Sequence, residues 1–159
     1  MIRPLRESDI VSLTEIYNHY VLHSAATFES VPLTEGQMRR RLLEPAATFP
    51  CLVVEESGVV GGYAALHSFR PRFDCVAEAT MYLAPEFTSR GVGRLMLRRL
   101  IEDGRSIEGL NGIIACINAA NAPSRRLVES FGFRQVAFYE RVGRKFGQWL
   151  DDVDYQLLF

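Results

Sequence analysis

Two stretches of the chain carry residue types and spacings that could do chemistry. The first runs Leu83-Ala-Pro-Glu-Phe-Thr-Ser-Arg-Gly-Val-Gly-Arg94, where a strand-like segment stops at a proline and a helical pattern begins among glycines. Glycine lets the backbone turn tightly and lets an anion approach closely. The first amides of a helix have no internal partner and sit at the positive end of its dipole, so a pyrophosphate is a natural guest. Two familiar phosphate loops do not fit. The dinucleotide fingerprint GxGxxG needs a glycine where Met96 stands, and it should open the first strand–helix unit. The Walker A loop needs Lys and then Ser or Thr after its last glycine, and neither follows. A glycine turn without a ligand is the remaining alternative.

The second stretch is Val76 to Leu83. Alternate residues of a strand share a face, which puts Glu78, Thr80 and Tyr82 on one side and Ala77, Ala79, Met81 and Leu83 on the other. The apolar set belongs against core helices. The other set places a carboxylate in an apolar strand, where a charge is costly unless it is paired or put to use. Glu78 then reads as a general base, direct or through one water, its pKa raised by desolvation. The bland alternative is an inert, salt-bridged glutamate at the sheet edge. Arg70 and Arg72, in the loop before this strand, carry guanidinium groups suited to a carboxylate or phosphinate, unless they are simply exposed. His19 and His23 lie four apart on a helix, but no third ligand stands at sensible spacing, so no metal is expected.

These residues need elements to hold them. Met1 to Leu5 reads as a strand. Ser8 caps a helix with Ile10, Leu13, Tyr17, Tyr20 and Val21 inward, and Thr34 with Gln37 forms a capping box for a second helix that Pro45 ends near Glu44. Cys51–Glu55 and Val59–Leu66 flank a Glu56-Ser57-Gly58 turn and read as a hairpin. Val76–Leu83 follows, then a helix over Gly91–Asp103 with Val92, Leu95, Met96 and Leu100 inward. A strand over Ile113–Ile117 precedes a helix over Ala122–Phe131, which Gly132 terminates in the left-handed conformation. Phe133–Arg141 and Trp149–Phe159 are the last strands. The order predicts an α+β fold: one mixed, mostly antiparallel sheet of about seven strands, with about four helices on both faces.

Composition bounds the rest. The 159 residues fit one domain, which should bury roughly 68–70% of its unfolded surface. A formal charge of −1 argues against a dedicated nucleic-acid binder, and the short basic runs at Arg39–Arg41, Arg98–Arg99 and Arg125–Arg126 read as solvated helix faces. Cys51, Cys75 and Cys116 are an odd, scattered set, which predicts free thiols and neither a disulfide framework nor a zinc or redox pair. No stretch approaches the roughly 18 apolar residues of a membrane span, and the start lacks a signal-peptide core, so a cytoplasmic protein is expected.

Taken with the glycine turn, the segment Asn118-Ala-Ala-Asn-Ala-Pro-Ser-Arg-Arg-Leu-Val-Glu-Ser-Phe-Gly-Phe133 resembles the GNAT superfamily of N-acetyltransferases. Asn18-His19-Tyr20, Phe49–Val53, Ala77–Tyr82 and Lys145–Asp151 are similar to the branch that holds phosphinothricin and methionine sulfoximine/sulfone acetyltransferases. The resemblance covers nearly the whole chain and implies acetyl-CoA as cosubstrate, no metal, and a homodimer. Backbone groups of Met81, Tyr82 and Leu83 would hold the pantetheine arm. Ser89, Arg90, Gly91, Val92, Gly93 and Arg94 would hold the pyrophosphate. Asn121 would bond the pantetheine with Ser124 beside it, and Asn118 would be a neighbour. Glu78, Arg70 and Arg72 would face a small amino-acid-like acceptor. The KFG turn, Lys145-Phe146-Gly147, would lie near the acceptor pocket and the dimer contact, and tilts the acceptor toward the sulfoximine/sulfone type.

Two departures bear on mechanism. Thr88 stands where relatives start the turn with Gln or Arg, which matters little because the contacts there are mostly backbone. Val128 stands where many relatives carry a Tyr or His that can protonate the leaving thiolate, so the acid is elsewhere, Tyr139 or solvent. The rival acceptors are a polyamine, an aminoglycoside or a protein N-terminus. From a different class, a non-catalytic acyl-CoA sensor also fits Val128.

Overall fold

The computed structural model describes residues 1–159. Strands are β1 (Ile2–Pro4), β2 (Cys51–Glu56), β3 (Val59–Ser68), β4 (Val76–Leu83), β5 (Gly112–Asn118), β6 (Arg134–Lys145) and β7 (Gln148–Leu158). Helices are α1 (Ile10–His23), α2 (Glu35–Leu42), α3 (Val92–Arg105) and α4 (Ala122–Glu129). The strands form one mixed sheet in the order β1–β2–β3–β4–β5–β7–β6, with the strand and helix count that the sequence predicts.

Every neighbouring pair is antiparallel except β4 and β5. That parallel ladder is short: Val76↔Gly112, Ala77↔Ile113 and Glu78↔Ile114. Beyond Glu78, β4 stays paired only with β3, and beyond Ile114, β5 stays paired only with β7. The sheet therefore splits at Glu78 and opens toward the C-terminal ends of β4 and β5.

Each face of the sheet has its own core. Met96, Leu97, Leu100 and Ile101 of α3 and Val128 of α4 pack with Leu66, Ala77, Ile113 and Val153 on one face. Ile10, Leu13, Tyr17 and Val21 of α1 and Met38 and Leu42 of α2 pack with Val53, Tyr63 and Ala65 on the other.

Local chemistry explains most of the boundaries. Thr34 Oγ1 accepts the Gln37 amide at 3.2 Å while Gln37 Oε1 accepts the Thr34 amide at 2.8 Å, the expected capping box. Ser57 and Gly58 both have positive φ, 51° and 80°, which suits the tight β2–β3 hairpin turn. Gly132, at φ 87°, ends the turn after α4 in the left-handed region.

Three expectations need correction. A 3-10 turn at Glu7–Asp9 leads into α1, so Asp9 rather than Ser8 holds the N-cap position, without a side-chain bond to the helix. The Asp9 carboxylate accepts the Arg6 amide at 2.7 Å and grips the buried Arg3 guanidinium at 2.7 and 2.8 Å, a charge a serine could not balance. Leu95 is 55% exposed, and Leu97 and Ile101 take the inward places, because α3 turns its 96/97/100/101/104 stripe to the sheet. The last hairpin is longer than expected: β6 reaches Lys145, and Phe146 and Gly147, both at positive φ, make the turn into β7.

Candidate functional site

The split between β4 and β5 holds a groove of about 590 Å³. Met81, Tyr82 and Leu83 form one wall, and Ala115, Cys116 and Ile117 the other. Leu97, Leu100, Leu127 and Val128 make it apolar. The Ala84 amide donates to Gly61 across β3 at 2.8 Å. Amides alternate direction along a strand, so the Leu83 amide points the other way, into the split. The Tyr20 hydroxyl donates to the Leu83 carbonyl at 2.6 Å and fixes this end of β4.

The glycine turn closes one end of the groove. Ser89 and Gly91 adopt positive φ, 58° and 79°, and bring the chain round to start α3. Ser89, Gly91, Gly93 and Arg94 line the groove. Arg94 is held by the Ser130 hydroxyl at 3.0 Å, with its guanidinium 5.1 Å over the Phe131 ring. Arg90 and Val92 do not line the groove as side chains. Arg90 pairs with Glu56 at 2.8 Å, and Val92 packs into the core. The first amides of α3, from Val92 to Arg94, precede its first intrahelical bond, Leu95 N–H to the Gly91 carbonyl, and lack helical acceptors.

Asn121 and Ser124 line the opposite side. Asn121 Oδ1 accepts the Ser124 amide at 3.3 Å and so caps α4, leaving its amide nitrogen for a ligand. Asn118 has no such freedom. Its side chain donates to the Ala25 carbonyl at 2.7 Å and accepts the Ala120 amide at 2.9 Å, so it anchors the loop after α1.

On the α1/α2 face the register aligns a polar strip across the strands. His67 opposes Glu78, Glu78 opposes Ile114, and Cys116 opposes Asp154. Glu78 is half-buried and burial pushes its pKa up. The His67 ring, a hydrogen bond from the Cys116 thiol and the Arg70 charge pull it back, while Asp154 adds to the rise. Asp152 is pushed up to about 6 by burial, then by Asp154 and Glu78. His67 Nδ1 lies 3.1 Å from the Ser68 carbonyl and Nε2 lies 3.0 Å from the Thr80 hydroxyl.

The arginine expectations divide. Arg70 lines neither cavity; it is half-exposed, sits 3.8 Å from the buried Asp154 and lies 4.6 Å over the Phe69 ring. Its charge reaches Glu78. Arg72 is exposed at φ 76° in the turn, forms no ion pair, and lines neither cavity. Tyr139 donates to Asp154 at 3.2 Å and also lines neither cavity, so it is not brought to the groove.

A second cavity of about 610 Å³ adjoins the strip. Glu78, Thr80 and Tyr82 line it, and Thr80 and Tyr82 line the groove as well, so the two spaces meet across β4. Tyr17, Glu29 and Arg41 also face it. The sequence gives no local sign of Glu29, and Arg41 is part of a run that reads as a solvated helix face. Phe73 is 51% exposed and stacks on Phe69, while Phe28 packs over Gly143.

His19 and His23 have ring centroids 5.1 Å apart on the surface of α1. Cys116, Asp152 and Asp154 bring one ligand atom each within 4.8 Å of one another. Burial and the neighbouring carboxylates raise the pKa of that thiol.

Comparison with known proteins agrees with this geometry. The acetyltransferase (GNAT) domain family matches residues 2–153. An L-methionine sulfoximine/L-methionine sulfone acetyltransferase of Salmonella typhimurium is 39% identical over 94% of the chain and 89% of that protein. A phosphinothricin N-acetyltransferase of Streptomyces coelicolor is 37% identical over 98% of the chain and 94% of that protein. The structure of a Salmonella typhimurium acetyltransferase with its cofactor acetyl-CoA superposes with a TM-score of 0.93 at 38% identity, covering 99% of this chain and 92% of that one.

Proposed function

The chain belongs to the GNAT acetyltransferase family, and on that premise we propose that it transfers acetyl from acetyl-CoA to the α-amine of a small amino-acid-like acceptor, with Glu78 as the general base. The observation that carries the reading is the junction of the two cavities at Thr80 and Tyr82, with Glu78 beside it. One space fits an extended, largely apolar arm; the other fits an acceptor.

Met81, Tyr82 and Leu83 hold the pantetheine arm along the unpaired edge of β4. The turn from Ser89 to Arg94 holds the pyrophosphate, through backbone amides at Arg90 and Val92. Asn121 and Ser124 flank the arm. Arg70 takes the acceptor's carboxylate, which leaves its ammonium at Glu78. Leu83 lies five residues beyond Glu78 on β4, so Glu78 removes one proton through bridging water, and the amine nitrogen attacks the thioester carbonyl. The Leu83 amide supports the oxyanion. The carbon–sulfur bond then breaks, the nitrogen gives up its second proton to solvent, and the coenzyme leaves as a thiolate that solvent protonates. A free thiol of pKa near 8.5 is a fair leaving group, so Val128 does not block the reaction. The raised pKa of Glu78 suits a base that works near neutral pH.

A single domain over 1–159 carries both half-sites on this reading. No helix is long and apolar enough to cross a membrane. The three unpaired cysteines support a cytoplasmic setting. Val136, Phe138, Val142 and Trp149 are all about half-exposed on the β6–β7 hairpin and support a homodimer contact there.

The test is thiol release from acetyl-CoA against methionine sulfone, methionine sulfoximine, phosphinothricin, spermidine, an aminoglycoside and a peptide. Turnover of the amino-acid analogues is expected. Turnover only of a cation or peptide would discard the acceptor class, and no turnover with coenzyme still bound would favour a sensor.

A further inference from the structure

The cavity beside Glu78 runs along β4 toward Tyr82, four residues or about 13 Å of strand away. Glu29 and Arg41 stand at that end, since both touch Tyr17, whose ring centroid lies 4.9 Å from that of Tyr82. They form a tight pair. Arg41 Nη2 lies 2.5 Å from Glu29 Oε1, and Nη1 lies 3.3 Å from Oε2. The Tyr17 hydroxyl donates to Glu29 at 2.9 Å, and the guanidinium sits 5.0 Å over the Tyr17 ring. Burial alone would raise the Glu29 pKa, but the bonds from Arg41 and Tyr17 outweigh it and hold the carboxyl ionised. The charged groups lining this cavity are thus one guanidinium and two carboxylates, Glu29 and Glu78, with the only cation already partnered.

We infer that this end of the cavity is the subsite for the acceptor's side chain, and that Glu29 makes it select a neutral, dipolar head over an anionic one. The inference rests on the proposed acetyl transfer with Glu78 and Arg70 fixing the amine and the carboxylate. A sulfone or sulfoximine oxygen can accept from the free edge of Arg41 while its carbon stem lies against Tyr82 and Tyr63. A phosphinate must compete with Glu29 for Arg41 and bring a second negative charge beside it. Like charges this close, in a half-buried site, discriminate by about tenfold or more.

The experiment measures kcat/KM for L-methionine sulfone and for phosphinothricin at saturating acetyl-CoA, in the wild type, Glu29→Gln and Arg41→Gln. The wild type should prefer the sulfone. Glu29→Gln should move the ratio toward phosphinothricin by about tenfold or more, chiefly through KM. Arg41→Gln should weaken both acceptors and move the ratio the opposite way. Unchanged acetyl-CoA affinity certifies that each variant is folded. If the wild type acetylates both acceptors and neither variant moves the ratio, the subsite is wrong while the acetyltransferase stands. If the wild type acetylates neither but turns over another amine, the acceptor class itself falls and this inference with it.

Discussion

Glu78 and Ile114 form the last ladder pair between β4 and β5, so the carboxylate in the middle of the sheet stands where the sheet opens. On the proposed reading the opening offers unpaired backbone to acetyl-CoA, and Glu78 faces the acceptor. A base placed there reaches the acceptor amine beside the groove that would carry the thioester.

The pH dependence of kcat/KM should show an acid limb above the ordinary glutamate value, because burial raises Glu78 and the deprotonated form is the active one. Asp154→Asn removes a negative neighbour that adds to this rise. The limb should then move to lower pH, and the acceptor KM should increase because Arg70 loses its partner. A limb that stays in place would remove Asp154 from the electrostatics of the site.

Asp152 gives a stability signature of the opposite kind from a salt-bridged aspartate. Its pKa rises from the ordinary 3.8 to about 6 through burial first. The folded chain holds that proton more tightly than the unfolded chain, so the favourable contribution is complete below the unfolded value and is lost as pH rises through about 6. Asp152→Asn should therefore stabilise the protein by about 1–2 kcal/mol at pH ~8 relative to its effect at pH ~4, after allowance for solvent screening. Urea unfolding at the two pH values checks it.

Arg70→Ala should raise the acceptor KM by about tenfold or more and leave acetyl-CoA affinity unchanged. Arg72→Ala should do neither. Steady-state kinetics with each substrate varied in turn separates the two arginines, which the sequence places on equal footing.

Lys145 is 4% exposed and donates to the carbonyls of Ser24 at 2.5 Å, Thr27 at 2.9 Å and Tyr20 at 3.3 Å. It ties the last hairpin to the loop after α1, which also carries Glu29. Lys145→Met should cost about 2–3 kcal/mol of stability, since it strands these carbonyls, and should weaken acceptor binding through the loosened loop. Chemical denaturation and the acceptor KM report the two effects separately.

What the sequence shows of this site is what local chemistry dictates. Gly91 at the turn, the Thr34–Gln37 box and the alternation from Ala77 to Leu83 act over a few residues, and each holds in the structure. The contacts that complete the site join distant segments. Glu29 meets Arg41 across a loop and a helix, His67 meets Thr80 across a hairpin, and Arg70 meets Asp154 from the far end of the chain. None has a spacing or propensity that marks it. Asn118 shows the converse: its place in a recognised motif suggests a coenzyme neighbour, yet both of its polar atoms are taken by the backbone.

The most direct test of Glu78 as the base is kcat/KM of Glu78→Gln for L-methionine sulfone, measured from pH ~5 to ~9 beside the wild type. The account predicts a fall of about 10²–10⁴ with the acid limb abolished and acetyl-CoA affinity retained. Turnover equal to the wild type, with the same limb, would contradict it.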